Sequence, residues 1–171
     1  PRAAPPARLE ERFWEKGGLR RTIMELLGVG VDEAKRVEAS LADRDVREVY
    51  AWIQERIAPR ILVDKCPHLS VDPGALGRLV AWFPQARWLW IVRHPGSVTR
   101  SIENMPMAEV MLSGYAADAG GLWYSTNRAL RDFLATIPAE RQARVRYEDL
   151  VTAPRAALEA VCERLAIPFH E

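Results

Sequence analysis

Two short apolar runs, Ile-Leu-Val at residues 61–63 and Trp-Leu-Trp-Ile-Val at residues 88–92, constrain this chain more than any other feature. Neither alternates with polar residues as a half-solvated strand does, so each is expected to be a strand buried on both faces. Helical patterns separate them. Asp72 and Pro73 form a cap and first-turn pair, with Leu76, Leu79, Val80 and Phe83 following on one face. Pro95 opens a further helix through Glu103, and a long amphipathic one carries Leu122, Thr126, Leu130, Phe133, Leu134 and Ile137. Residues 143–147 read as a third strand, and Pro154 opens a last helix with Leu158, Val161, Cys162 and Leu165 in register. Strand and helix alternate, which predicts an α/β layered fold with a parallel central sheet and right-handed crossovers.

The first third reads differently. Leu9, Phe13 and Trp14 share one face of a short segment, and Leu19, Ile23, Leu26 and Leu27 repeat at helical spacing before Gly28 and Gly30. Asp32 is expected to cap a second helix ending near Leu41. Asp45 caps a third, in which Val46, Val49, Tyr50, Ile53 and Ile57 follow the helical period until Pro59. Residues 1–8, rich in Pro, Ala and Arg, read as a linker, and residues 9–171 as the domain.

Charge excludes some functions. The 24 Lys and Arg nearly cancel the 23 Asp and Glu among 171 residues, so no general field attracts nucleic acid or an anionic membrane. Two distant cysteines, Cys66 and Cys162, make neither a zinc site nor a disulfide framework; reduced thiols and a cytoplasmic location are the expectation. No apolar run reaches the roughly 18 residues that span a bilayer.

Ligands of open parallel sheets bind outside the carboxyl ends of the strands, and those positions are unusually polar here. Asp64, Lys65, Cys66, Pro67 and His68 follow the first run. Arg93, His94 and Pro95 follow the second, with Ser97 and Ser101 on the next helix; Arg146, Tyr147, Glu148 and Asp149 follow the third. Arg93 beside a helix start offers a bidentate cationic fork together with free N–H donors, which suits a phosphate. The competing reading is an arginine that pairs with Asp64 or Asp149.

The segment IVRHPGSVTRS, with Arg93 and Ser101 eight residues apart after a strand, resembles the 3′-phosphate-binding motif of sulfotransferases that use 3′-phosphoadenosine 5′-phosphosulfate (PAPS). LVDKCPH (62–68) resembles the strand and lysine loop that precede it in the family. VRYEDLVTAPRAALEAVCERLAIPF (145–169) is similar to the family's Tyr-Glu-Asp-Leu, proline and helix signature. The variants DKCP, RHP and RYEDL look most like the sulfotransferase domains of modular polyketide synthases.

The resemblance covers roughly residues 19–169. It implies a three-layer, P-loop-NTPase-like fold and sulfuryl transfer from PAPS, without a metal, to a hydroxyl. That hydroxyl belongs to a small molecule or to an acyl chain on a carrier protein. It further implies Arg93 and Ser101 on the nucleotide 3′-phosphate, Tyr147 near the adenosine, and Lys65 facing the sulfuryl group. His68 is the candidate general base, the alternative being a plain loop histidine.

One family element is absent from the sequence: no Gly-rich loop of the kind that wraps the 5′-phosphosulfate occurs, since Gly17-Gly18 is followed by Leu19 and Arg20. The sheet is therefore expected to be incomplete, with an exposed edge that favours a dimer or neighbouring domains. The same gap keeps two other readings open, a non-catalytic docking module of a larger synthase and a P-loop kinase relative.

Smaller features complete the reading. Glu148 and Asp149 are expected to cap the following helix, Asn127 to act as a polar tie, and the six tryptophans to serve the core. Met105, Met107 and Met111 resemble a soft lid over an apolar acceptor.

Overall fold

A computed structural model of the chain describes residues 18–66, 70–105, 112 and 118–170. The chain divides into two compact units, Pro1–Lys65 and Cys66–Glu171, and each is described by itself.

The first unit is helical. Helices α1 (Gly18–Leu27), α2 (Val31–Leu41) and α3 (Val46–Ile57) turn the sequence periodicity into a cluster of Leu19, Ile23, Ala34, Leu41, Val49 and Ile53. Gly28 ends α1 at φ +65, a left-handed conformation in which a glycine carries no side-chain penalty. Helix α2 begins two residues earlier than a cap at Asp32 would place it. Gly30 is its N-cap, and Asp32 lies in the first turn, where its charge faces the positive end of the helix. Asp45 caps α3 as expected and forms a reciprocal capping box with Glu48.

Residues 61–63 depart from the expected strand. They have no ladder partner among the described residues, and Ile61 and Val63 are 50% and 84% exposed. Only Leu62 packs against the helical cluster. The backbone there is met by side chains of α3: Gln54 accepts from Leu62 N–H at 2.9 Å and donates to the Arg60 carbonyl at 2.8 Å. The Tyr50 hydroxyl donates to Asp64 Oδ2 at 2.7 Å. A strand needs a neighbouring backbone; this segment is strapped to a helix instead.

The second unit holds the sheet. Helix α4 (Pro73–Trp82) starts on Asp72, whose carboxylate accepts from Gly74 N–H at 2.8 Å. Strand β1 (Trp88–Val92) leads into helix α5 (Pro95–Glu103), and the long helix α6 (Ala119–Leu134) packs on α5. A 3-10 turn (Ala139–Arg141) enters strand β2 (Gln142–Arg146), which pairs with β1 in parallel, Trp88 opposite Gln142 and Val92 opposite Arg146. Helices α7 (Tyr147–Thr152) and α8 (Pro154–Arg164) complete the unit. The architecture is α/β with a small parallel sheet, as the alternation of elements predicts.

Two sequence expectations shift. Strand β2 ends at Arg146, so Tyr147 begins a helix instead of closing a strand. Burial on both faces fails for β1: Leu89 and Ile91 are 44% and 52% exposed. They share a face with Ala143 and Val145, which Val161 and Leu165 of the α8 region cover, but that cover stops short of β1. On the other face Trp88 meets Phe133 of α6 edge-on, ring centres 4.8 Å apart. The five described tryptophans are half-buried, more a rim to the core than its centre, and Leu158, expected inside, is exposed. No helix among the described residues is long and apolar enough to cross a membrane.

Candidate functional site

A cleft of about 490 Å³ opens where β1 gives way to α5, lined by Arg93, His94, Gly96, Ser97, Arg100, Ser101 and Asn104. Its construction follows from local sequence. Val92 is the last residue of the strand, and Pro95 fixes the first helical φ, so Arg93 and His94 form the whole connection. On the helix beyond, Ser97, Arg100, Ser101 and Asn104 recur at intervals of three and four and therefore share one face. The His94 ring lies over the helix start, where a Cβ at Gly96 would meet it at 3.4 Å, an ordinary van der Waals contact.

The electrostatics are one-sided. Neither Arg93 nor Arg100 forms an ion pair among the described residues, and no carboxylate lines the cleft. The expected competitor for Arg93, a pairing with Asp64 or Asp149, is thus not formed. The guanidinium of Arg93 instead lies over the ring of Tyr147, 4.6 Å from its centre. The hydroxyls of Ser97 and Ser101 have no hydrogen-bond partner among the described residues. Two cations, two hydroxyls and a helix N-terminus converge on one concavity, the donor set that an oxyanion such as a phosphate monoester takes.

Three residues from elsewhere in the unit hold the Arg93–His94 connection. Trp123 of α6 donates its indole N–H to the Arg93 carbonyl at 3.1 Å. Glu148 of α7 accepts from the His94 amide at 2.9 Å across 54 residues of sequence. Tyr147 supports the Arg93 side chain. Glu148 therefore ties the site while also accepting from its own N–H in the first turn of α7, whose N-cap residue Arg146 makes no side-chain cap.

The His94 amide, then Glu148's own backbone N–H and, more weakly, the Arg146 charge 3.8 Å away hold the Glu148 carboxyl below the ordinary carboxylate range. A lowered folded-state pKa contributes stability that is complete above the unfolded value, near 4.5, and is lost as pH falls through the folded one. Urea unfolding of wild type and Glu148→Gln is accordingly expected to differ at pH 7 and to converge below that value. A constant gap down to pH 3 would mean that the charge contributes nothing.

The other sequence candidates fall elsewhere. Lys65 is exposed at the end of the first unit and makes no ion pair among the described residues; its neighbour Asp64 is engaged by Tyr50. His68, Met107 and Met111 lie outside the described residues, and Met105 is exposed. Asn127 donates to the Trp123 carbonyl at 2.8 Å, a tie within α6. Arg100 and Trp123 join the site without a sequence motif to mark them. The three- and four-residue spacing of Ser97, Arg100, Ser101 and Asn104 is the signal that finds Arg100; nothing local marks Trp123.

The chain matches the model of the sulfotransferase family over residues 5–171. Among solved structures it is similar to the sulfotransferase domain from the curacin biosynthetic pathway, with 34% identity, 90% of this chain covered and a TM-score of 0.81. It is also similar to the sulfotransferase domain from the Synechococcus PCC 7002 olefin synthase, at 30% identity, 94% coverage and a TM-score of 0.80. The chain spans 56% and 59% of the lengths of these two proteins. No curated protein matches it.

Proposed function

Because this chain belongs to the sulfotransferase family, we propose that its cleft binds the 3′-phosphate of PAPS and serves sulfuryl transfer to a hydroxyl. The acceptor we favour is the β-hydroxyl of an acyl chain on a carrier protein, in keeping with the curacin biosynthetic pathway and the olefin synthase from which the similar structures come. The observation that carries the reading is the pair of unpaired arginines and free serine hydroxyls around one cleft at a strand-to-helix turn. A phosphate monoester dianion matches that charge, and Arg93 can meet it with a two-pronged fork.

In this scheme Arg93 and Ser101 hold the 3′-phosphate and Tyr147 stands beside the nucleoside. A general base, His68 by its side-chain chemistry, takes the acceptor's hydroxyl proton. The acceptor oxygen forms a bond to sulfur as the bond from sulfur to the bridging phosphate oxygen breaks. Lys65 offsets the negative charge that collects on that oxygen, and the nucleotide departs as 3′-phosphoadenosine 5′-phosphate. Sulfuryl transfer of this kind is charge management around an in-line displacement.

The test is calorimetry on the chain with 3′-phosphoadenosine 5′-phosphate and, in parallel, AMP. The expected result is at least tenfold tighter binding of the 3′-phosphorylated nucleotide. Equal affinity, or no binding of either by the folded chain, would overturn the reading and favour a docking module without catalysis.

A further inference from the structure

We propose that Tyr147 and Glu148 are positioning residues that present Arg93 to the anion, Tyr147 through the face of its ring and Glu148 through the His94 amide. The inference rests on the 3′-phosphate reading of the cleft and adds to it the reason that the arginine is ready to bind. An arginine at an exposed turn has several rotatable bonds, and ordering them on binding costs affinity. Here the ordering is already done. The guanidinium carbon sits 4.6 Å above the Tyr147 ring centre, where the ring's negative face attracts a cation without occupying any of its N–H donors. A carboxylate in the same place would hold Arg93 as firmly but would consume the donors and cancel the charge. An aromatic platform orients the fork and leaves it available.

Glu148 acts one residue further on. Its carboxylate fixes the His94 N–H at 2.9 Å, while Trp123 fixes the Arg93 carbonyl at 3.1 Å, so both sides of the Arg93–His94 peptide are tied. Tyr147 and Glu148 are adjacent at the start of α7, so one helix start supports both the side chain and the backbone. The phenol hydroxyl has no part in this arrangement. A tyrosine that met the nucleotide only through its hydroxyl would behave differently on substitution.

The experiment compares Tyr147→Phe, Tyr147→Leu, Glu148→Gln and Glu148→Ala in the full chain, each confirmed folded by circular dichroism. The first readout is the Arg93 side-chain N–H resonance in arginine-labelled protein, assigned by its loss in Arg93→Ala. A ring beneath the guanidinium shifts it upfield, so Phe should keep the shift and Leu abolish it, whether or not any nucleotide binds. The second readout is binding of 3′-phosphoadenosine 5′-phosphate against AMP. Phe and Gln are expected within about twofold of wild type, and Leu and Ala about fivefold weaker for the 3′-phosphorylated nucleotide alone.

An Arg93 resonance indifferent to Tyr147→Leu, or a Phe variant as weak as Leu, would overturn the proposal. A ring-shifted Arg93 in a chain that ignores the nucleotide would instead overturn the 3′-phosphate reading and leave the platform standing.

Discussion

Arg93→Ala is expected to weaken 3′-phosphoadenosine 5′-phosphate by about a hundredfold while leaving AMP unchanged, so that discrimination for the 3′-phosphate collapses. The size follows from what is lost. Charge-assisted hydrogen bonds contribute about 1.5–3 kcal/mol each, and a factor of a hundred corresponds to about 2.7 kcal/mol, the worth of one such bond and the least that losing a two-pronged contact should cost. Arg93 forms no ion pair within the described residues, so its loss leaves no carboxylate stranded and the fold should be unaffected. That separates a binding effect from a stability effect, since the urea midpoint of the variant should stay at the wild-type value.

Two further substitutions grade the result. Arg93→Lys should restore only part of the affinity, because an ammonium supplies charge without the planar fork. Ser101→Ala should lose less than Arg93→Ala, since one neutral hydroxyl is removed and Arg100 remains on the same wall. In a preparation that turns over PAPS, kcat/KM should fall by the same factor as affinity. Full turnover by Arg93→Ala would remove the 3′-phosphate assignment.

Ile23→Ala is the substitution expected to cost most in stability, about 2–5 kcal/mol by urea unfolding. Ile23 is 0% exposed at the centre of the α1–α3 cluster, and the same is true of Val49. Removing three carbons there forfeits their transfer energy and leaves a cavity that Leu19, Ala34 and Ile53 can fill only partly. Against a total stability of roughly 5–15 kcal/mol such a loss removes a large share of the margin. Ile23→Val, which removes one carbon, should cost about 1 kcal/mol. The double variant Ile23→Ala with Val49→Ala should depart from additivity, because the two residues belong to one cluster. A loss under about 1 kcal/mol for Ile23→Ala would show that the cluster does not govern unfolding.

Where local chemistry decides structure, the sequence is readable. Trp88–Val92 is apolar, short and bounded by an arginine and a proline, and both the strand and the helix after it fall where those residues put them. Asp45 with Glu48, and Asp72 before Pro73, mark helix starts because the Asp carboxylates accept from unpaired first-turn N–H groups and proline at the first helical position brings no N–H to satisfy. Residues 61–63 defeat the same logic. An apolar triplet says that a segment resists water, not which neighbour will take its backbone, and here the answer is Gln54 of a helix.

The site divides likewise. Arg93 and Ser101 stand out from their order and spacing, and they do line one cleft. Arg100 stood in the same stretch but required the helical face to be drawn. Trp123 and Glu148 act through a carbonyl and an amide far away in sequence, and residue type alone reveals no such partner.

The bond from His94 to Glu148 has a kinetic meaning as well. It joins residues 54 apart, and the β1–β2 pairing that brings them together closes a loop of the same size. Loop closure of that length must precede any reward from the contact, so parallel pairing is the slow event in folding such a unit. The cleft's own lining, residues 93–104, is local and can form early as a turn and a helix. Its supports arrive only with the sheet. A refolding chain should therefore regain helical circular dichroism before it regains anion recognition, and the interval between the two would time the moment at which the two strands meet.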